Sequence, residues 1–239
     1  MSYPSYESVA RMMDHALLTP TSTDAELREG CRALREFPIA TVCIKPHAVR
    51  LAVAELAGTS VDVCTVIGFP HGTPVPAVKA FEAEQAFLDG AREVDMVVNT
   101  GKVLGGDWDY VREDIAAVTE VTRRRRGIIK VIFETDFLPD DFHKIRLCEI
   151  CSEARVDFVK TSTGFGFVKG REGGYDYSGA TDHDLRLMRK HCSPEVGVKA
   201  SGGVRNLDRA LEVIALGVTR IGTGGAPAIL REYRRRFGA

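Results

Sequence analysis

The 239-residue sequence predicts an α/β fold: a (β/α)8 barrel with one extra helix at its N-terminus. Two observations lead there. Short runs that are nearly all apolar and rich in β-branched residues alternate with longer segments carrying apolar residues every three or four positions. That alternation marks a parallel sheet covered by crossover helices. The runs then number eight, enough to close a barrel, and the length suits one. An open doubly wound sheet is the competitor, but it usually carries a glycine-rich fingerprint after an early strand. Here the glycine pairs cluster late, in "KASGGVR" and "RIGTGGAP".

Taken in order, a short N-terminal helix leads into "MDHALL" (13–18), the first strand. The other seven are "IATVCI" (39–44), "VDVCTVIG" (61–68), "EVDMVV" (93–98), "IIKVIFE" (128–134), "VDFVK" (156–160), "VGVKA" (196–200) and "VTRIG" (218–222). Helical spacing shows between them, for example at Val78, Phe81, Ala86 and Phe87, and at Val111, Ile115, Val118 and Val121. Thr181 with Asp184 three residues on reads as a helix start, and Pro227 as a first-turn proline. The stretch "FVKGREGGYDYSG" (167–179) reads as a small hairpin. No linker or composition shift divides the chain, so residues 1–239 form one domain.

Composition excludes several classes. Hydrophobic residues at 44% and charged residues at 27% suit a globular chain, and a net charge of −1 gives no global attraction to nucleic acid or anionic membranes. "RRRR" (123–126) and the C-terminal "REYRRRFGA" fall at helix ends, where cations complement the helix dipole. Neither a signal-peptide pattern nor an apolar run of ~18 residues is present, which points to the cytoplasm and to no membrane partner. The six cysteines are scattered, and "CEIC" (148–151) lies in a helical pattern with no second pair. No metal-ligand spacing is present, so no metal and no cofactor are expected.

Barrel chemistry sits where strands end. The polar residues in and closing the apolar runs are Asp14, Cys43, Lys45, Asp95, Asn99, Lys130, Glu134, Lys160 and Lys199. Strand side chains alternate between the two faces, so either Phe158 with Lys160, or Asp157 with Val159, points into the barrel. An inward Asp157 in mid-strand is the costlier choice, which favours Lys160. An ammonium buried without a partner tends to lose its proton, and a neutral amine is what Schiff-base chemistry with a carbonyl requires. Lys160 and Lys199 end adjacent strands, whose backbones lie ~5 Å apart. If the two amines meet, charge on one disfavours protonation of the other, and a shift of three units corresponds to ~4 kcal/mol. The alternative is that each lysine forms a buried ion pair with a carboxylate such as Asp95 or Glu134. Glycine pairs after the last two strands fall at the usual phosphate site of barrels, where bare backbone N–H groups accept an anion.

In this order, "MDHALL", "VCIKPHAV", "VIGFPHG", "REVDMVVNTG", "KVIFET", "DFVKTSTGFG", "VKASGGVR" and "RIGT" resemble the deoxyribose-phosphate aldolase family over residues 13–223. The resemblance implies a metal-independent class I aldolase that reversibly cleaves 2-deoxy-D-ribose 5-phosphate to acetaldehyde and D-glyceraldehyde 3-phosphate. It implies Lys160 as nucleophile, Lys199 as the partner that tunes it, and Asp95 moving protons through water. It places phosphate at Gly164, Gly202, Gly203, Gly224 and Gly225, and gives supporting roles to Asp14, Cys43 and Lys130. It also implies a homodimer or homotetramer. Three departures stand out: Gly224 and Gly225 occupy positions where many members have serines, the 167–179 segment is longer, and no C-terminal tyrosine matches the one some members use, since Tyr233 comes too early. Lys169 or Arg171 of the long segment could replace the missing phosphate contacts.

Overall fold

Eight parallel strands close into a barrel in the computed structural model, which describes residues 4–170 and 172–238. Helix α1 (Tyr6–Arg11) precedes β1 (Met13–Leu17), as the N-terminal pattern predicts. Strands β2 (Thr41–Ile44), β3 (Asp62–Ile67), β4 (Glu93–Val97), β5 (Ile128–Ile132) and β6 (Phe158–Lys160) follow. Between them run α2 (Asp24–Ala33), α3 (Val49–Glu55), α4 (Pro76–Leu88), α5 (Thr100–Leu104), α6 (Trp108–Arg125) and α7 (Asp141–Glu153). A two-stranded hairpin, β7 (Val168–Lys169) and β8 (Tyr175–Asp176), interrupts the series. Then come α8 (Asp182–His191), β9 (Gly197–Ser201), α9 (Leu207–Ala215), β10 (Arg220–Thr223) and α10 (Ala226–Phe237). β6 pairs with β9, and β10 pairs with β1 to close the ring.

Alternation decides what faces where. Val42, Ile44, Val94, Met96, Ile129, Val131, Val159, Val198, Ala200 and Ile221 belong to the main apolar core shared with the helices. Their neighbours Cys43, Cys64, Asp95, Lys130, Lys160, Lys199 and Arg220 point inward. Fully burying one valine or isoleucine is worth about 1.5–3 kcal/mol. A one-residue slip of β6 would therefore lose the burial of Val159 and push Lys160 among helix side chains, so the register is strongly fixed.

Local signals behave as the sequence predicts. Thr181 caps α8 by accepting from the Asp184 N–H, and Thr23 and Glu26 form a capping box on α2. Arginines 123–125 fill the last turn of α6 and 234–236 that of α10, where Arg125 pairs with Glu84 and Arg236 with Asp208. Cys148 and Cys151 are free thiols buried on α7.

Candidate active site

A cavity of about 240 Å³ opens over the C-terminal ends of the strands, with Lys160, Lys199, Asp14 and Cys43 on its wall. Lys160 and Lys199 are in register on β6 and β9, and both face inward. Their Nζ atoms donate to the same oxygen, Asp95 Oδ2, at 2.8 and 2.7 Å. Both possibilities open in the sequence are therefore realised: the lysines meet, and they meet on a carboxylate. Lys199 also donates to Asp14 Oδ2 at 2.5 Å. Lys130 reaches Asp95 Oδ1 at 2.8 Å, Glu93 Oε2 at 2.5 Å and Asp14 Oδ2 at 3.4 Å. Arg220 reaches Asp14 Oδ1 at 2.7 Å and Glu93 at 3.1 Å.

Burial opposes the charges on Asp95, Asp14, Lys199, Lys130 and Arg220, yet their partners outweigh it. Burial alone would raise Asp95, but Lys130, Lys160 and Lys199 hold its carboxyl well below the usual range. Asp14 is likewise held low against burial by Lys199, Lys130 and Arg220. Burial would lower Lys199, but Asp14 and Asp95 raise it above an ordinary lysine, and Lys130 is raised further by Asp95, Cys64 and Asp14. Lys199 is thus firmly an ammonium. Cys43 lies in register with Cys64, whose thiol donates to Asp95 Oδ1 at 3.3 Å. Cys43, Cys64 and Asp95 bring donor atoms within 4.8 Å of one another. A metal ion there would have to displace the three lysine nitrogens that already occupy Asp95, which makes the trio a poor cation site.

The opposite wall is backbone. Gly164, Gly202, Gly203 and Gly224 line the cavity, and the first three have positive φ, at 92°, 92° and 83°. Glu134 holds the 161–164 turn by accepting from Thr163 N–H at 3.1 Å and from the Thr163 hydroxyl. Gly225 departs from expectation: it lies off the cavity wall, and its N–H is taken by Thr223 Oγ1 at 3.0 Å. Thr223 Oγ1 in turn donates to Val204 O at 2.7 Å, tying the two glycine loops together.

A family model described as DeoC/LacD family aldolase matches residues 8–228. The chain belongs to that aldolase family. Among its relatives, the deoxyribose-phosphate aldolase of Rhodopirellula baltica is 49% identical over 98% of this chain and 92% of its own. That of Enterococcus faecalis is 45% identical over 92% of this chain and 94% of its own. In three dimensions the chain is similar to the tetrameric deoxyribose phosphate aldolase of Aeropyrum pernix, with TM-score 0.82, 27% identity, and 96% and 92% of the two chains covered.

Within this DeoC/LacD aldolase, sequence reasoning brought together Lys160, Lys199, Asp95, Asp14, Lys130 and Cys43, and it missed Glu93, Arg220, Arg205 and Ser201. Parity held the signal for the first two. Glu93 is two residues before Asp95 and Arg220 two before the inward Gly222, so both face the barrel interior. Arg205, just past the glycine pair, lines the cavity with Ser201. Lys45 instead ties down the first loop by donating to Ser22 O at 2.7 Å, and Asn99 caps α5. The long segment folds as a hairpin anchored at its base, where Asp136 accepts from Ser178 N–H at 2.6 Å. The segment packs against Gly202 through Gly179 and through Tyr177, whose hydroxyl would stand 2.1 Å from a Cβ on Gly202. Lys169 is not on the cavity wall, and Arg171 lies outside the described residues.

Proposed function

We propose that this aldolase reversibly cleaves 2-deoxy-D-ribose 5-phosphate to acetaldehyde and D-glyceraldehyde 3-phosphate through a Schiff base on Lys160. The observation that carries the reading is the convergence of Lys160 and Lys199 on one oxygen of Asp95 beside a glycine-walled cavity. Lys199 has two carboxylates and keeps its proton, whereas Lys160 has one and is the amine free to attack. Neutral Lys160 adds to the C1 aldehyde and expels water, giving an iminium. The C3 hydroxyl then loses its proton to a water held by Asp95, with Lys199 beside it, as the C2–C3 bond breaks. Its electrons move into the iminium as an enamine and glyceraldehyde 3-phosphate leaves. Protonation at C2 and hydrolysis release acetaldehyde.

The Gly164, Gly202, Gly203 and Gly224 loops receive the phosphate, with Arg205 as the cation at the rim. Arginine suits a phosphate's geometry and charge. The absence of hydroxyls at Gly224 and Gly225 favours a second reading, the same chemistry on an unphosphorylated aldehyde. The ratio of kcat/KM for deoxyribose 5-phosphate to that for deoxyribose separates the two. The exposed Val75, Val78, Phe81 and Leu88 on and beside α4 suit assembly as a homo-oligomer. Borohydride with acetaldehyde should leave an ethyl group on Lys160. Finding it on Lys199, with Lys160 unmodified, would reverse the assignment.

A further inference from the structure

None of the described residues of the long 167–179 segment lines the cavity, yet its end is fastened to the loop that receives the phosphate in the reading above. The Ser178 and Gly179 N–H groups donate to the Asp136 carboxylate at 2.6 and 3.0 Å, and Ala180 N–H donates to Gly202 O at 3.1 Å. Gly202 has a φ of 92°, and the space its side chain would fill is already taken. A Cβ there would stand 2.1 Å from the Tyr177 hydroxyl, 3.0 Å from Tyr177 Cζ and 3.0 Å from Gly179 Cα. Phe167, on the other arm of the hairpin, backs the Tyr177 ring with centroids 5.4 Å apart. The hydroxyl is buried beside Ser162 Oγ, and the two stand outside hydrogen-bond geometry. A buried hydroxyl without a partner costs stability, so packing alone would be better served by phenylalanine. Burial, and then the carboxylates of Glu134 and Asp136, push the phenol up to about 12. It stays neutral and adds no charge that would repel a phosphate.

The chain on either side of Gly202 is held by other means. Ser201 N–H donates to Thr161 Oγ1 at 3.0 Å and Ser201 O accepts from that hydroxyl at 2.8 Å, while Lys199 is in register with both β6 and β10. Val204 O accepts from Thr223 Oγ1 at 2.7 Å. Between these fixed points Gly202 depends on the hairpin.

We propose that Tyr177 is a positioning residue that sets specificity for the phosphate: by filling the side-chain space of Gly202, it holds the 202–205 loop where a phosphate can meet it. The inference rests on the phosphate reading above and deepens it. Tyr177 acts on the anion through the loop rather than by contact. Slack left by its loss ends at Ser201, so the reacting lysines keep their places.

The test is the ratio of kcat/KM for deoxyribose 5-phosphate to that for deoxyribose, with kcat and KM read separately. Tyr177→Phe keeps the ring on Phe167 and removes the oxygen at Gly202, and the ratio should fall by about threefold. Tyr177→Ala removes the ring as well, and the fall should reach about tenfold or more. The change should lie in KM for the phosphorylated sugar, and inhibition of deoxyribose turnover by inorganic phosphate should weaken in the same order. Damage to the fold or to the lysine site would lower both substrates together and leave the ratio alone. An unchanged ratio in both variants, or a loss carried by kcat on both substrates, would overturn this inference and leave the Schiff base and the phosphate site standing. A wild type with no preference for the phosphorylated sugar would overturn the phosphate reading and this inference with it. Should Tyr177→Ala be insoluble, Tyr177→Phe decides: a lower ratio with weaker phosphate inhibition supports the positioning role, and wild-type values of both overturn it.

Discussion

Lys199→Leu probes the coupling on which the proposed chemistry depends. The two amines share Asp95 Oδ2 at 2.8 and 2.7 Å, so their nitrogens are at most 5.5 Å apart, the sum of the two bonds. At an effective dielectric constant of about 20, unit charges that far apart interact by about 3 kcal/mol, equivalent to about two pH units. Deleting the Lys199 charge also frees Asp95 Oδ2 for Lys160 alone, which favours the ammonium further. Iminium formation on Lys160 should therefore need a pH about two units higher, and its rate near neutrality should fall by about a hundredfold. Asp14 keeps Arg220 at 2.7 Å, so the carboxylate is not left unpaired and the fold should survive. The assay is borohydride trapping with acetaldehyde between pH 5 and 10, run beside turnover of deoxyribose 5-phosphate and a circular-dichroism melt. A variant that melts normally and traps acetaldehyde with the wild-type pH profile would refute the coupling.

Arg205→Ala should raise KM for deoxyribose 5-phosphate by about tenfold and leave unphosphorylated deoxyribose little changed, the loss of one charged hydrogen bond being worth roughly 1.5–3 kcal/mol. Lys169→Ala, off the cavity wall, should change neither, and steady-state kinetics on both substrates distinguishes the two residues. His15 is buried, and burial lowers its pKa from 6.5 to about 4. The folded state refuses a proton that the unfolded chain accepts, so this contribution is intact above pH 6.5 and declines as pH falls toward 4, by about 3 kcal/mol in all. Urea unfolding at several pH values should show a gentler acid decline for His15→Gln, and parallel curves would contradict the burial argument. Lys79 donates to Asp114 at 2.6 Å and to Val97 O at 2.8 Å between α4 and α6, with both side chains sealed from solvent. Lys79→Met should destabilise by about 3–5 kcal/mol by stranding the carboxylate, and Lys79→Met with Asp114→Leu should regain most of it. Equal losses in the single and double variants would argue against a stranded charge.

Much of this molecule follows from local periodicity. Two-residue alternation in eight apolar runs and helical spacing between them are properties of a few consecutive residues, and they suffice to specify strands, helices and the inward face. They favour Lys160 inside the barrel and mark the glycine loops as candidates for holding an anion. What they could not assign is partnership. Lys199 and Asp14 are 185 positions apart and meet only because β10 closes the ring onto β1. Whether Asp95 serves one lysine or three depends on how long side chains from β4, β5, β6 and β9 reach across the same interior. The amide of Gly225 is lost to Thr223 through a contact that follows the packing of two loops, and the hairpin's direction turns Tyr177 toward Gly202 and leaves Lys169 off the cavity wall. Period and polarity belong to the chain, whereas the pairing of buried charges is fixed by closure of the barrel, because Coulomb energies depend on distances that exist only after distant strands have joined.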